Sequence, residues 1–480
     1  MKLVLLAVNA SWAHTNLAVR CLRERLEKDG HEVVICEFQI HDRTSEILER
    51  LVGEAGDVYG FSCYLWNLEV MLSLGEDLKR LLPKARLILG GPEVSYATDR
   101  FDKFEWIDFL VSGEGEEALA GICQELHAGR IPPRVVAQKQ TLMPIRGKGI
   151  FYRDGEVHGG MLYYESSRGC PFSCAYCLSS ATMGIRQKSV EETLADLLSF
   201  ERLVGEFSIV KLVDRTFNAS PRRANAIWQA LLSEQFTKRY QFEINAALLD
   251  EESFSILSRF PRGKVQLEIG LQSTNPETLA YVARQVDPGQ VLTAVRRLKE
   301  FGNLHLHLDL IAGLPYESYE RFGRSFDDAY GVADQLQLGF LKLLHGTPLR
   351  ERMAELGYIC SSRPPYTVLQ SRWMSYDEIC RLHRIADALE RVAESGRFVH
   401  TLWYLDSRMP SPFAFWQGFA EHLAAIDSRP IQRRSQPDVF RALLSYAEKL
   451  PGVDPKALRQ MLAADFSEHE NKRPPAFLRE

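Results

Sequence analysis

"SRGCPFSCAYCL", residues 167–178, crowds three cysteines into eight residues of a 480-residue chain that has nine in all. Cys170, Cys174 and Cys177 follow the spacing C-x3-C-x2-C, close enough for three thiolates to meet one metal centre without a distant partner. A closed zinc site usually needs a fourth ligand, often from a second paired motif. No other C-x2-C occurs, and His158 lies back toward a linker. Four-iron clusters ordinarily take four thiolates. With three, one iron is left open to a small molecule. Spacing therefore favours an iron–sulfur cluster, with zinc as the rival.

Strand and helix patterns alternate on both sides of this stretch. Downstream, "MLYYESSR" (161–168), "FSIVKLVD" (207–214), "YQFEINAA" (240–247), "VQLEIGLQ" (265–272), "LHLHLDLIAG" (304–313) and "LQLGFLKLL" (336–344) read as strands. Helical patterns at 189–203, 221–235 and 288–301 separate them. Six β/α units are too few for an eight-unit closed barrel, so a partial (β/α)6 TIM-like barrel over 161–350 is expected, with its chemistry at the strands' carboxyl ends. Upstream, "KLVLLAV" (2–8), "EVVICEF" (32–38), "DVYGFS" (57–62), "RLILGG" (86–91) and "IDFLVSG" (107–113) are apolar runs suited to strands buried on both faces. The helix "TNLAVRCLRERLEKDG" (15–30) has Thr15 as its expected N-cap and closes on Gly30. The fold class is thus α/β: a doubly wound, flavodoxin-type domain over 1–130, a proline- and glycine-rich linker over 131–160 with a hairpin at Asp154-Gly155, then the partial barrel. Residues 351–480 read as a mainly helical domain.

Composition narrows the function classes. A net charge of -5 with pI about 6.2 gives no global pull toward nucleic acid or an anionic membrane. No apolar run is long enough to span a bilayer. The first apolar run, "LVLLAV" in residues 3–8, is too short for a signal peptide and reads as a buried strand. A cytoplasmic location with reduced thiols is the expectation.

"RGCPFSCAYC", on a loop after the first strand of a six-unit β/α series, resembles the radical S-adenosylmethionine (SAM) superfamily. The resemblance implies a [4Fe-4S] cluster on Cys170, Cys174 and Cys177, whose open iron is chelated by SAM, with Tyr176 against the adenine. Reduction of the cluster in that family splits SAM into methionine and a 5′-deoxyadenosyl radical. "EIGLQS" (268–273), "TLAYVAR" (278–284) and "DLIAGLP" (309–315) resemble the branch that includes the oxygen-independent coproporphyrinogen oxidases. They nominate Gln272 and Asp309 for the SAM ribose and Arg284 for its carboxylate. "VDRTFN" (213–218) departs from the family's Gly-Gly-Glu, and Asp214 and Asn218 are nominated there for SAM. Each also reads as an Asx-turn or helix cap. "LKLLHGTPL" (341–349) resembles the last strand and the turn near adenine.

A doubly wound domain before such a module resembles the cobalamin-binding subclass. "GGPEVS" (90–95) and "SGEGE" (112–116) resemble two of its signature loops. The implied cobalamin contacts are Asn9, His14, Ser62, Tyr64, Gly90, Gly91, Glu93, Gly113, Glu114 and Gly115, at strand carboxyl ends. The subclass's Asp-x-His-x-x-Gly is absent; the first loop reads "NASWAHTN", in which only His14 could meet cobalt. Flavin or nucleotide binding is the alternative for such a sheet, although G-x-G-x-x-G is missing. The subclass implies a methyltransferase in which methylcobalamin delivers methyl to a substrate radical, or else a cyclase or rearrangement enzyme. A small-molecule or peptide substrate and an electron donor such as flavodoxin or ferredoxin are the implied partners. Tyr163, Glu243, Lys342 and His345 are candidates to face the substrate. A transfer-RNA methylthio-modifying enzyme is a further reading, but Cys21, Cys36, Cys63 and Cys123 sit inside expected helices and strands, not in a second cluster loop. A cofactor sensor without catalysis is the last.

Overall fold

The structure, a computed structural model, describes residues 1–138, 151–181, 184–409, 411–470 and 473–479. Pro144, with the rest of residues 139–150 of the expected linker, lies outside them. Six strands form the first sheet: β1 (Lys2–Asn9), β2 (Glu32–Gln39), β3 (Val58–Ser62), β4 (Arg86–Gly90), β5 (Phe109–Ser112) and β6 (Val135–Ala137). Their order is β2-β1-β3-β4-β5-β6, all parallel. This is the doubly wound arrangement, and its order reverses between β1 and β3. Ligands of such sheets bind in the crevice at that point. Strand β1 is buried on both faces from Leu3 to Val8, as its unbroken apolar run requires. Strand β6 is an addition: three half-exposed residues leave too short a pattern to read.

The helix after β1 spans Leu17–Lys28. Its N-cap is Asn16, whose side chain accepts from Val19 N, one residue beyond the expected Thr15. At Asp154-Gly155 a turn without flanking strands replaces the expected hairpin. Gly155 has φ 80° and its N–H donates to Val204 O.

Beyond it come β7 (Gly160–Tyr164), a small antiparallel pair β8 (Ser167–Gly169) and β9 (Ile185–Gln187), then β10 (Phe207–Leu212), β11 (Arg239–Ile244), β12 (Val265–Gln272), β13 (His305–Ala312) and β14 (Gln335–Phe340). The expected strand 161–168 is broken at Glu165-Ser166, so its last residues belong to the hairpin that carries the cysteines. The other five strands form as expected, each followed by a helix or turn.

Two compact units emerge. One holds Met1–Gln266, Lys342–Glu351 and Ser361–Thr367; the other holds Leu267–Leu341, Arg352–Cys360 and Val368–Glu480. These units cut across the boundaries expected at 130, 160 and 350. Within the first, β7, β10 and β11 are parallel neighbours, and buried Arg20 and Arg23 pair with Glu156 to tie the first sheet's helix to the segment before β7. Within the second, β12, β13 and β14 are neighbours, with β13 and β14 parallel. The antiparallel pair β15 (Ile359–Cys360) and β16 (Val368–Gln370) joins them there. Helices Tyr376–Val392, Val399–Asp406, Pro412–Ile426, Gln436–Ala447 and Pro455–Glu470 form the tail. The tail's Phe413, Phe415, Trp416 and Phe419 are buried, so its aromatics build a core. Trp403, in contrast, is 76% exposed.

Candidate cofactor site

The cysteine loop hangs from the β8–β9 hairpin. Gly169 has φ 90°, and a Cβ on it would lie 2.2 Å from Gly184 O, so only glycine fits beneath the first cysteine. Cys174 is buried while Cys170 and Cys177 are partly exposed. The Cys170 thiol lies 3.5 Å from Thr216 Oγ1, and Cys177 Sγ accepts from Ser179 N at 3.4 Å. Ala175 O accepts from Leu349 N, which fastens the loop to the turn after the last strand. Tyr176 is half-buried in this loop.

Asp214 does a different task from the one expected of it. Its carboxylate is fully buried and accepts from Ser166 N (2.7 Å), Ser166 Oγ (2.5 Å) and Ser167 Oγ (2.7 Å). Burial raises its pKa, against these hydrogen bonds and the neighbouring Arg223. Asp214 thus props the base of the cysteine hairpin. Asn218 is buried as well; its amide donates to Asn245 O and accepts from Asn245 N, both at 2.9 Å. Both residues are engaged within the scaffold.

Arg168 is the joint between hairpin and first sheet. It donates to Glu165 and to Glu116 Oε1 at 2.8 Å, and pairs with Glu114 at 3.2 Å. Arg186, on β9, also binds Glu114. The surrounding carboxylates push the Arg168 pKa up, and Arg168 holds that of Glu116 down against the opposing effect of burial. The loop after β5 is therefore bound to the residues on either side of the cysteines. Sequence reading assigned no role to Glu165, Ser166, Ser167 or Arg186. The partners of Ser166, Ser167 and Arg186 lie tens of residues away, while Glu165 pairs with Arg168 three residues on.

At the carboxyl ends of the first sheet, the nominated residues divide into two sets. Gly91 has φ 107°, and a Cβ there would lie 2.5 Å from Cys63 O; Gly113 has φ 89° and faces Gln138 O. Gly90 packs on Val111, and Gly115 on Leu22 at the start of the helix Gly115–His127. Ser62, at the end of β3, is buried, and Tyr64 stacks on Trp66 with ring centroids 4.5 Å apart. These small residues let the loops after β3, β4 and β5 pack closely on one another at the carboxyl ends of the sheet, the side on which such sheets bind ligands. The charged nominees are held inside the protein. Glu93 accepts from Tyr366 OH at 2.8 Å and pairs with Arg100. Glu114 is held by its two arginines. Asn9 donates to Glu37 and to His14 O.

His14 points its Nδ1 at the Tyr163 hydroxyl in a short hydrogen bond, and burial, then Lys211, lowers its pKa. That nitrogen is engaged with Tyr163, so a role toward cobalt is not what this contact serves.

In the second unit, three nominated SAM residues come from β12, the turn after it, and β13. Gln272 ends β12 in the left-handed region, φ 74°. A Cβ on Gly270 would lie 2.2 Å from Gln272 Nε2 and 3.3 Å from Arg284 Nη2, so this glycine lets both side chains close over the strand. Arg284 also donates to Gly270 O. Gln272 Oε1 is buried and accepts no hydrogen bond among the described residues. Buried polar atoms are almost always paired, so this atom fits a missing ligand hydroxyl. Asp309 lies on β13 in register with Gln337 of β14.

Behind Gln272 sits an acid that sequence reading missed. Glu317 is fully buried; its Oε1 accepts from Ser273 Oγ (2.6 Å) and Ser325 Oγ (2.8 Å), while Oε2 has no partner among the described residues. Burial pushes its pKa up to about 7. Asn275 Nδ2 donates to Tyr316 O, and Thr278 Oγ1 to Pro315 O. Tyr316, at φ 62°, is a second left-handed residue without a glycine's freedom. The turns after β12 and β13 are thus cross-linked around Glu317. The acid placed after "GLPY" was the available signal.

Comparison with known proteins agrees with this geometry. Residues 3–123 match the B12 binding domain, 164–329 the radical SAM superfamily, and 354–480 a protein family of unknown function, DUF4080. The chain is 24% identical over 405 residues to an uncharacterized methyltransferase of Pyrococcus horikoshii, covering 79% of this chain and 85% of that one. It is 27% identical over 325 residues to the cobalamin-dependent radical SAM methyltransferase TokK of Streptomyces tokunonensis, covering 59% of this chain and only 45% of TokK. The solved structure of the cobalamin-dependent S-adenosylmethionine radical enzyme OxsB, with cobalamin and SAM bound, superposes with a TM-score of 0.63 at 14% identity. That match covers 98% of this chain and 84% of OxsB. Three thiols on a glycine-braced hairpin, a buried Gln272 Oε1 without a partner among the described residues, and a doubly wound sheet with small residues at its strand ends fit the groups these names carry. The chain carries an N-terminal B12-binding domain followed by a radical SAM domain.

Proposed function

We propose that this protein is a methyltransferase that installs a methyl group on an unactivated carbon of a small-molecule or peptide substrate. The relatives named as methyltransferases support the reading, and the observation that carries it is the coexistence of two built sites. One is the Cys170–Cys174–Cys177 hairpin tied by Arg168 to the loop after β5; the other is the turn where Gln272 Oε1 awaits a donor. When bound, the cluster with SAM supplies a hydrogen-abstracting radical, and cobalamin supplies a transferable methyl group.

The chain's residues hold and orient. Cys170, Cys174 and Cys177 would ligate three irons, with Tyr176 beside the adenine. Gln272 and Asp309 would bind the ribose hydroxyls, and Arg284 the carboxylate, for which a guanidinium is suited by charge and fork geometry. Gly90, Gly91, Gly113, Gly115, Ser62 and Tyr64 would line the corrin crevice. Tyr163, Glu243, Lys342 and His345 are the proposed substrate-side residues. An external one-electron donor of the ferredoxin or flavodoxin kind would reduce the cluster. Among the described residues no helix is long and apolar enough to cross a membrane.

Anaerobic reconstitution with iron, sulfide and cobalamin tests this. The protein should be brown, retain corrin, and on reduction convert SAM to both 5′-deoxyadenosine and S-adenosylhomocysteine when supplied with substrate. 5′-Deoxyadenosine without S-adenosylhomocysteine would point to rearrangement or cyclisation, and no retained corrin would remove the subclass reading. Cys174→Ala should lose the cluster absorbance and all SAM cleavage; a full cluster in that variant would refute the ligand assignment.

A further inference from the structure

Strand β13 opens with His305-Leu306-His307, and strand alternation puts both imidazoles on one face, shared with Asp309. The Nε2 atoms of His305 and His307 share a hydrogen bond at 3.0 Å, one ring donating and the other accepting, with ring centroids 4.8 Å apart; an ion would displace the shared proton. Two nitrogens ~2.1 Å from one ion, at a right angle, stand ~3.0 Å apart. Asp334 Oδ2 lies 3.8 Å from His305 Nδ1 and accepts from Leu306 N at 2.8 Å. It is therefore fixed by the backbone beside the far nitrogen of the ring. At 3.8 Å the carboxylate is beyond hydrogen-bond distance of the ring; closing onto Nδ1–H, as carboxylates behind ligating histidines do, would select the tautomer that leaves Nε2 for the metal. His305 is 44% exposed, which gives an ion a way in.

We propose that His305 and His307 chelate one divalent transition-metal ion at the entry end of β13, with Asp334 orienting His305. The ligand set is borderline-soft and nitrogen-based, suited to nickel, cobalt or zinc and not to magnesium or calcium.

One other set of donors converges among the described residues: His400, Asp465 and Glu468, with ligand atoms within 4.8 Å of one another. There Asp465 already accepts from His400 N, Thr401 N and Thr401 Oγ1, which caps the helix Val399–Asp406. It serves as the control.

The test reads metal content and is independent of the methyltransferase reading. Untagged protein with its iron–sulfur cluster reconstituted is dialysed anaerobically against Ni2+ or Zn2+, then assayed by elemental analysis and calorimetry. One bound ion per chain beyond iron is expected. His305→Gln and His307→Gln, which keep size and polarity, should each abolish it, and His400→Gln should not. Asp334→Asn should weaken it roughly 10- to 100-fold. An unchanged melting temperature without metal would show that the variants fold; should the glutamine variants fold poorly, Asp334→Asn carries the test. Wild-type protein that takes up no ion, or a His305→Gln/His307→Gln protein that keeps it, would overturn the proposal.

Discussion

Two strand-end turns carry buried acids, and the acids are treated in opposite ways. Asp214, after β10, receives three hydrogen bonds from Ser166 and Ser167, and its neighbour Asn218 is closed on Asn245. Gln272, at the end of β12, keeps an unpaired buried oxygen, and Glu317 behind it keeps another. A saturated buried group works for the scaffold, since removing it strands its donors. An orphaned one is a standing cost that a ligand or an ordered water relieves, and backbone strain at the same place, as at Gln272 and Tyr316, is the combination found at ligand sites. The difference separates residues that hold the cysteine hairpin from residues that would hold what the hairpin activates.

The sharpest way to break this contrast is Asp214→Ala. The substitution leaves Ser166 N and two hydroxyls without an acceptor, and the expected loss is about 3 kcal/mol or more in denaturant unfolding. Asp214→Asn, which keeps one acceptor oxygen, should lose less. Both should retain less cluster on reconstitution. Equal stability of Asp214→Ala and wild type would show that the carboxylate is not the prop the geometry makes it.

The contrast also explains what the sequence could and could not disclose. The cysteine spacing and the apolar strands are local signals, so the cysteine loop and both α/β modules were legible. Asp214 and Asn218 were read as SAM ligands or local caps because their real partners lie 48, 47 and 27 residues away. The same holds for Glu93 and Tyr366, 273 residues apart, and for Arg168 and Glu116. Long-range pairing leaves no periodic trace. Strand β6 and the helix Val399–Asp406 were missed for a different reason: each is too short, or too evenly apolar, to show a period.

Glu317 sharpens the comparison through pH. Its folded pKa, about 7, stands above its ordinary value of 4.5 because of burial. The folded state thus binds the proton more tightly than the unfolded one. The associated stability is fully present below about pH 4.5 and is lost as pH rises through about 7. Glu317→Gln should flatten unfolding free energy between pH 5 and 8 by on the order of 2–3 kcal/mol. An identical slope in the variant would assign the titration elsewhere.

The smallest effect expected discriminates best. Gln272→Ala removes an oxygen that has no partner among the described residues, so unfolding free energy should stay within ~1 kcal/mol of wild type. Gln272→Gly also removes the penalty of a side chain at φ 74° and should match or exceed wild-type stability, by at most ~1 kcal/mol. Both should bind SAM roughly tenfold more weakly or worse, the value of one or two lost hydrogen bonds. Stability would rise or hold while affinity falls, the reverse of the Asp214 pattern, in which affinity could fall only through the fold. A Gln272→Gly protein destabilised like Asp214→Ala, or one that binds SAM as wild type does, would place Gln272 among the scaffold residues and leave the orphaned oxygen without a ligand to explain it.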